Sequence, residues 1–362
     1  MGDTLLMIGT RKGLWLARSD GDRTGWEVDG PHFPGEEITA TAIDTRRSSP
    51  RLLMGGFGWH WGPFLVRSDD LGRSWNDPEQ RSVVFPEDTG EALHTVWQIV
   101  PDHDGRDGVV WAGSEPSALW CSEDHGESFE LVRGLWDNPD RPHWEPGGGG
   151  KALHTILPHP TDDHRMNVAM STGGVYRTQD GGETWAPSNH GITVDYMPEP
   201  PPPYGYCVHR VARDAGDPTH LMMQHHGGVY RSDDDGAYWS DVGAQLPADF
   251  GFPVVAHPHR SGTAYVFPVT YESRTPPQGR CAIYRTEDAG ASWQECAKGL
   301  PEEPYHAGVL RDAMCTDDHD TAGVYVGTRD GHVFASSDEG EHWTTVARHL
   351  PDVLSVRAAA IS

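Results

Sequence analysis

The sequence of 362 residues has no long apolar run, no cluster of basic residues and no closely paired cysteines. No apolar stretch approaches the ~18 residues that a membrane-spanning helix needs, and the N-terminus has no secretory-signal pattern, so neither is expected. Lys and Arg total 28 against 54 Asp and Glu, a net charge of −26 that disfavours binding to nucleic acid or to an anionic membrane. The five cysteines form no Cys-x-x-Cys pair, which predicts reduced thiols in a cytoplasmic protein.

The chain does contain one short phrase that returns about every fifty residues, a period typical of repeated supersecondary units. Its skeleton is Ser/Thr-x-Asp-x-Gly-x-x-aromatic. A β-like run precedes each copy and another follows it, so each copy is predicted to be a hairpin loop. The glycine permits a positive φ, and the aspartate accepts backbone N–H bonds inside the turn. The copies are residues 68–75, 122–129, 178–185, 232–239, 286–293 and 336–343.

These phrases resemble Asp boxes, and the whole chain resembles the Asp-box (BNR-repeat) β-propellers, which include sialidases and sortilin-type domains. The resemblance implies an all-β fold of four-stranded blades and leaves the function open. Six boxes indicate six blades. A seventh is predicted from the ends: "TLLMIG", "GLWLARS" and "GWEVDG" supply three strands, and the C-terminal "DVLSVRAAAIS" supplies the fourth, which closes the ring and removes open edges. The prediction is one seven-bladed domain spanning residues 1–362.

In this topology the boxes lie on the lower rim, and the remaining loops form the upper face. The segments that lead into the first strand of three blades are long and rich in Pro and Gly, as binding loops on a rigid scaffold often are. Three histidines that open the first strand of consecutive blades, His94, His154 and His209, are predicted to meet at the upper mouth of the channel and to hold a divalent transition metal (Zn, Mn, Fe, Cu or Ni). His225, from a loop on the same sector, is a further candidate ligand. Hydrogen bonding to water or to backbone is the alternative for each. No nucleotide cofactor is expected.

Acid–base residues are expected beside these histidines, because a metal-activated water needs a proton acceptor. The candidate catalytic residues are Glu91, Glu115, His143 and Glu145. The opposite sector is predicted to bind a small anionic substrate through arginine, which grips carboxylate or phosphate with two parallel bonds, and through aromatic walls. The candidate substrate-binding residues are Arg11, Trp59, Trp61, Tyr271, Arg274, Arg329 and Arg357. Exposed turn arginines paired with nearby acids are the alternative.

Together these patterns predict a cytoplasmic, metal-dependent hydrolase or lyase that acts on a small anionic molecule. The Phe/Tyr-Arg-Ile-Pro segment of sialidases is missing, so sialidase activity is not expected. Two alternatives stay open. A carbohydrate-active protein similar to the BNR-repeat glycosyl hydrolases requires two carboxylates across a groove. A non-catalytic propeller that binds other proteins requires neither metal nor paired carboxylates.

Overall fold

A computed structural model describes residues 2–148, 150–195, 197–198 and 200–361, and the strands in this part of the chain form seven sheets. The first three sheets contain β1 (Asp3–Thr10), β2 (Gly13–Ser19) and β3 (Glu27–His32); β4 (Glu37–Asp44), β5 (Arg51–Gly58) and β6 (Gly62–Ser68); and β7 (Thr95–Pro101), β8 (Val110–Glu115), β9 (Ala118–Ser122) and β10 (Glu130–Leu131). The fourth and fifth contain β11 (Leu153–Pro158), β12 (Met166–Met170), β13 (Gly174–Thr178) and β14 (Ala186–Pro187); and β15 (Val208–Arg213), β16 (Leu221–His225), β17 (Gly228–Ser232) and β18 (Ser240–Asp241).

The last two sheets and the helices complete the described chain. The sixth and seventh sheets contain β19 (Gly251–Ala256), β20 (Ala264–Pro268), β21 (Ile283–Thr286) and β22 (Gln294–Cys296); and β23 (Met314–Thr316), β24 (Val324–Gly327), β25 (Val333–Ser336) and β26 (Thr344–Ala347), after which comes β27 (Val353–Ile361). The helices are α1 (Arg133–Trp136) and three 3-10 turns at Glu87–Thr89, Arg141–His143 and Pro277–Gly279. None of the helices in the described residues is long and apolar enough to cross a membrane.

The fold is therefore an all-β, seven-bladed β-propeller, as predicted. The predicted closure is confirmed, because β27 pairs antiparallel with β1 from Asp3 opposite Ile361 to Thr10 opposite Val353. This pairing covers an edge that β1 would otherwise expose. The second sheet has three assigned strands, and the segment after its box follows β6 through single bonds such as Asn76 N–H to Arg67 O (3.1 Å).

By its internal contacts the chain divides into two compact units. Unit 1 comprises residues 1–35, 209–235 and 239–362, and unit 2 comprises residues 36–208 and 236–238. Unit 1 has a large apolar cluster that includes Tyr325 and Trp343, and unit 2 has two clusters, around Trp120 and around Trp144. Burial of each such ring contributes roughly 1.5–3 kcal/mol, so the aromatic side chains are a main source of stability in both units.

The Asp boxes are the hairpin loops that the sequence predicts. In the first box Ser68 Oγ donates to Asp70 Oδ1 (2.8 Å) and accepts the N–H of Gly72 (2.9 Å), while Asp70 accepts the N–H (2.8 Å) and the hydroxyl (2.6 Å) of Ser74. The Ser74 bonds are the main reason that the pKa of Asp70 falls to about 2. These bonds make the box a self-contained turn. Equivalent bonds surround Asp124, Asp180, Asp288 and Asp338. At Asp338 the imidazole of His342 takes the place of the Ser or Thr hydroxyl that the other boxes use.

Candidate functional site

A cleft of about 330 Å³ lies in unit 2, where the loops of the third and fourth sheets meet. Three of its groups come from the third sheet: Glu91 and His94 precede β7, and Glu115 ends β8. The others come from the turn into β9 and from the long loop before β11. The cleft is lined by Glu91, His94, Glu115, Pro116, Ser117, Arg141, Trp144, Pro146 and Lys151.

Glu115 is held in one orientation within this cleft. Its carbonyl accepts the N–H of His94 (2.8 Å), and its Oε2 accepts the indole N–H of Trp97 (3.1 Å). Gly150 lies directly against the carboxylate at φ +87°, and a Cβ there would collide with it. A side chain at residue 150 would therefore displace Glu115, so this position requires glycine.

The segment around Trp144, which forms the other wall, is held by side-chain contacts. Trp144 is buried and donates its indole N–H to Tyr176 Oη (3.0 Å), which in turn donates to Asp140 Oδ2 (3.0 Å). The Arg141 guanidinium stacks 3.6 Å from the ring centroid of Trp136, a cation–π contact that orients its charge. Among the charged groups of the cleft, Glu115 and Arg141 are thus held by side-chain contacts, and the lining also includes one indole and two prolines.

The other predicted catalytic residues lie in the same loop but do not line the cleft. His143 is exposed and stacks on Tyr204, with ring centroids 4.6 Å apart and planes 5° from parallel. Glu145 is exposed between Trp144 and Pro146. Of the four predicted catalytic residues, Glu91 and Glu115 therefore share the cleft, together with the predicted metal ligand His94.

The predicted metal ligands are divided between the units: His94 and His154 belong to unit 2, and His209 and His225 to unit 1. His154 is buried, with Nε2 3.0 Å from Val208 O and Nδ1 3.1 Å from Thr155 Oγ1. Its ring therefore connects two strands, β11 and β15. Metal binding by these histidines stays a prediction.

In unit 1, His209 belongs to an aromatic cluster. Its Nδ1 lies 2.5 Å from Gly251 O, and its ring stacks on Phe252 with centroids 4.9 Å apart. Burial, and then the positive charge of Arg311, hold the pKa of His209 well below its usual value, so the ring is neutral. His226 packs against His209 (5.6 Å) and against the exposed Tyr271 (5.1 Å).

The predicted residues Tyr271 and Arg274 thus lie beside this cluster, with the Arg274 guanidinium 6.0 Å from the Phe252 centroid. His226 was missed by the sequence interpretation, which chose His225 from the same tandem pair. His225 ends β16, is fully buried, and accepts the N–H of Gly227 at Nδ1 (3.0 Å); burial lowers its pKa to about 3. His226 occupies the turn, and a turn position is the signal that could have identified it as the accessible member.

The other three predicted arginines form two separate groups in unit 1. Arg11 and Arg329 both pair with Asp352, at 3.6 Å and 2.8 Å. Arg357 pairs with Asp312 at 2.8 Å. Asp312 also pairs with Arg210 at 2.9 Å. The sequence interpretation did not identify Arg210, although it follows His209 directly on β15.

The predicted tryptophans lie in the turn between β5 and β6 of unit 2. Trp59 is 85% exposed, and its backbone N–H donates to the buried carboxylate of Glu36 (2.7 Å). Trp61 packs edge-on against Phe64, with centroids 6.4 Å apart. The turn is therefore fixed at its base, and Trp59 faces solvent.

Comparison with known proteins supports the fold. No protein-family model matches the chain. A curated relative, the photosystem II assembly lipoprotein Ycf48 of Synechococcus sp. (strain CC9902), is 28% identical over 152 residues, which are 42% of this chain and 38% of that protein. The match thus spans well under half of the relative's length.

Among solved structures, apo AztD from Citrobacter koseri has a TM-score of 0.57 at 10% identity, covering 99% of this chain and 98% of that one. An ancestral GH74 enzyme has a TM-score of 0.54 at 13% identity, covering 89% of this chain and 38% of that one. Ycf48 bound to a D1 peptide has a TM-score of 0.52 at 14% identity, covering 85% and 81%. At these identities the likeness shows the fold alone.

Proposed function

We propose that the chain is a non-catalytic binding propeller whose unit 2 cleft takes an extended polypeptide segment. The observation that carries this proposal is the lining of the cleft. Glu91 and Glu115 stand with Arg141 and Lys151 around the buried indole of Trp144. Charges of both signs around a small apolar centre suit a polypeptide, which offers backbone donors and acceptors as well as charged side chains.

Two comparisons support a polypeptide ligand. Ycf48 is similar to this chain in sequence over 152 residues and in fold, and one of its solved structures holds a D1 peptide. The cleft is also partly pre-organised for binding, because Glu115 accepts the Trp97 indole N–H and Arg141 stacks on Trp136. Pre-organised groups of this kind strengthen binding by reducing the entropy lost on association.

A displayed library of random peptides would test the proposal. Peptides selected on the wild-type chain would be synthesised with a fluorescent label and titrated against wild type, Lys151→Glu and Lys298→Glu. Both lysines are exposed, but only Lys151 lines the cleft. We expect binding to weaken about tenfold or more for Lys151→Glu and to be unchanged for Lys298→Glu. Failure to select any peptide, or selected peptides that ignore Lys151→Glu, would contradict the proposal.

A carbohydrate-active protein is the second candidate, because two carboxylates, Glu91 and Glu115, share the cleft with Trp144. Paired carboxylates are the groups that hydrolyse glycosidic bonds. Incubation with neutral oligosaccharides, followed by chromatography, tests this function. Release of shorter sugars by wild type, abolished in Glu115→Gln, would favour it over peptide binding.

The metal-dependent hydrolase or lyase in the cytoplasm, acting on a small anionic substrate, stays a sequence-based prediction. Its test is elemental analysis of protein purified without a metal-affinity tag. His94→Ala is the suitable variant because His94 is exposed in the cleft, whereas His154 is buried. A metal present in wild type and lost in the variant would support this prediction over the binding function.

A further inference from the structure

A second cleft, of about 340 Å³, lies in unit 1 along the sixth sheet. Tyr284 of β21 and Glu295 of β22 reach it from the sheet, and the turn before β21 and the segment after β22 complete it. Besides the half-buried Tyr284, its lining includes four prolines: Pro247, Pro268, Pro277 and Pro304. The unit 1 cleft therefore has the size of a small-molecule site and offers rings against which an apolar stem can pack.

The turn at residues 276–280 forms one wall of the unit 1 cleft and is tied down by backbone bonds. The N–H of Gly279 donates to Pro276 O (3.0 Å), and the carbonyl of Gly279 accepts the N–H of Tyr305 (2.8 Å). Gln278, which lines the cleft, has φ +56°, in the left-handed region that non-glycine residues seldom adopt. Such a conformation persists only where the surrounding structure fixes it, so this wall has a defined shape.

The charged groups of the lining, Arg280, Glu295 and Glu302, sum to one negative charge. Arg280 donates to Glu295 Oε1 through Nη2 (2.7 Å) and Nε (3.2 Å), so these two side chains form an ion pair. Glu302 makes no hydrogen bond or ion pair with the described part of the chain. The pKa of Arg280 is raised mainly by its hydrogen bond to Glu295, and the charge of Glu302 adds to this effect. The cleft therefore has one more carboxylate than it has cations.

The other polar groups of the cleft favour a ligand that donates hydrogen bonds. Glu295 Oε2 accepts the hydroxyl of Tyr284 (3.2 Å), which leaves the phenolic oxygen free to accept a bond in turn. Burial is the main reason that the pKa of Tyr284 rises to about 12, so the hydroxyl stays neutral. A ligand thus meets a carboxylate at Glu302 and an acceptor at Tyr284, whereas the guanidinium of Arg280 is already neutralised by Glu295.

We propose that the unit 1 cleft binds an alkylammonium group, which is a primary ammonium on a short apolar stem. The ammonium has three N–H donors and binds the carboxylate of Glu302 and the oxygen of Tyr284. The stem packs on the proline rings and on the face of the Tyr284 ring, which also attracts a cation. The net charge of −26 favours the approach of such a ligand. This site lies in unit 1 and does not depend on the peptide-binding function proposed for unit 2.

Calorimetric titration of the full chain at neutral pH with three matched probes tests the site. n-Butylamine has the ammonium and the stem, n-butanol lacks the charge, and ammonium chloride lacks the stem. We expect n-butylamine to bind about tenfold more tightly than either of the others. Equal binding of n-butanol would overturn the role of the carboxylate, and equal binding of ammonium would overturn the role of the apolar walls. The absence of binding by n-butylamine would overturn the site itself.

The same group occurs in free amines and at the end of a lysine side chain, and a fourth probe separates these two sources. Nα-Acetyl-lysine methylamide presents the alkylammonium group as a polypeptide does. Tighter binding of n-butylamine would identify a free amine as the ligand. Tighter binding of the blocked lysine would identify a lysine side chain, held by the same carboxylate and rings.

Variants locate the binding. Glu302→Gln should weaken n-butylamine binding about tenfold, because it removes the unpaired charge with little change of shape. Glu303→Gln, at the adjacent exposed glutamate that does not line the cleft, is the matched control and should leave the affinity unchanged. Arg280→Gln removes the positive charge and should tighten binding several-fold, a gain that misfolding cannot produce. Equal effects of Glu302→Gln and Glu303→Gln, or no gain in Arg280→Gln, would overturn the proposal.

Discussion

Unit 1 contains the same set of charges twice, two arginines on one aspartate, in two different surroundings. At Asp352 the arginines are Arg11 and Arg329, whose side chains are 50% and 52% exposed. At Asp312 the arginines are Arg210 and Arg357, whose side chains are 10% and 22% exposed. The shortest N–O separation is 2.8 Å in each group, while the second arginine lies 3.6 Å from Asp352 and 2.9 Å from Asp312.

The difference between the groups is their exposure to water. Exposed ion pairs contribute about 0–1 kcal/mol to stability, because water and salt screen the charges. In a buried group the charges have lost their hydration, so each depends on its neighbours for compensation. The Asp352 group is therefore an ordinary surface network, whereas the Asp312 group is expected to contribute more to stability.

Removal of the shared aspartate should give the largest difference between the two groups in the free energy of unfolding. Asp312→Ala leaves two buried guanidiniums without their common counter-charge and should lower the free energy of unfolding by about 3–5 kcal/mol. Asp352→Ala should lower it by about 0–1 kcal/mol. Urea unfolding followed by tryptophan fluorescence measures both. Equal losses would show that burial does not distinguish the groups.

Removal of one arginine should have a smaller effect, because the remaining pair at Asp312 stays neutral. Arg210→Met should cost about 2 kcal/mol, through lost hydrogen bonds to a charged group, and Arg11→Met should cost less than about 0.5 kcal/mol. The same unfolding measurement applies. Equal losses of stability for Arg210→Met and Asp312→Ala would contradict this ranking.

The contrast between buried and exposed ionisable groups extends to histidine. The pKa of His225 is lowered from 6.5 to about 3 by burial, so below pH 6.5 protons bind to it in the unfolded chain but not in the folded one. Stability should therefore fall as pH drops from 6.5 towards 3, with a contribution from His225 of up to about 1.4 kcal/mol per pH unit. His225→Gln should reduce this slope. His306→Gln, at an exposed histidine, serves as the control, and equal slopes in both variants would contradict the assignment.

The smallest expected effect is the dependence of these stability losses on salt concentration. The penalty of Asp352→Ala should disappear between about 0.01 M and about 1 M NaCl, where the screening length falls from about 30 Å to about 3 Å. The penalty of Asp312→Ala should persist, because mobile ions do not enter a buried cluster. Paired unfolding curves at the two salt concentrations test this, and a salt-sensitive Asp312 penalty would place that group in contact with bulk solvent.

The fold could be predicted from sequence because its main signals are local. Each Asp box closes through bonds between residues two to four positions apart, such as those of Ser68, Asp70 and Ser74. The closing strand β27 could also be predicted, because a propeller with three strands at one end needs a fourth from the other. A similar argument groups Glu91, His94 and Glu115, because loops that join predicted strands must lie at a predictable end of the blade.

Contacts between residues far apart in the chain could not be predicted. The pairing of Arg210 with Asp312 joins β15 of the fifth sheet to the segment before β23 of the seventh sheet, and no local sequence pattern encodes a contact between different sheets. His154 illustrates the same difficulty. Its position at the start of a blade suggested an accessible ligand, but the next strand lies close enough for Val208 O to accept from its ring.

The pairing of β27 with β1 also determines how the protein responds to mechanical force. Asp3 faces Ile361 at one end of this antiparallel ladder, and Thr10 faces Val353 at the other. If Asp3 and Ile361 were pulled apart, the load would act on this pair first and then on each following pair in turn. Hydrogen bonds that break one after another resist less force than bonds sheared together. The β1–β27 ladder is therefore expected to break pair by pair, from Asp3–Ile361 towards Thr10–Val353.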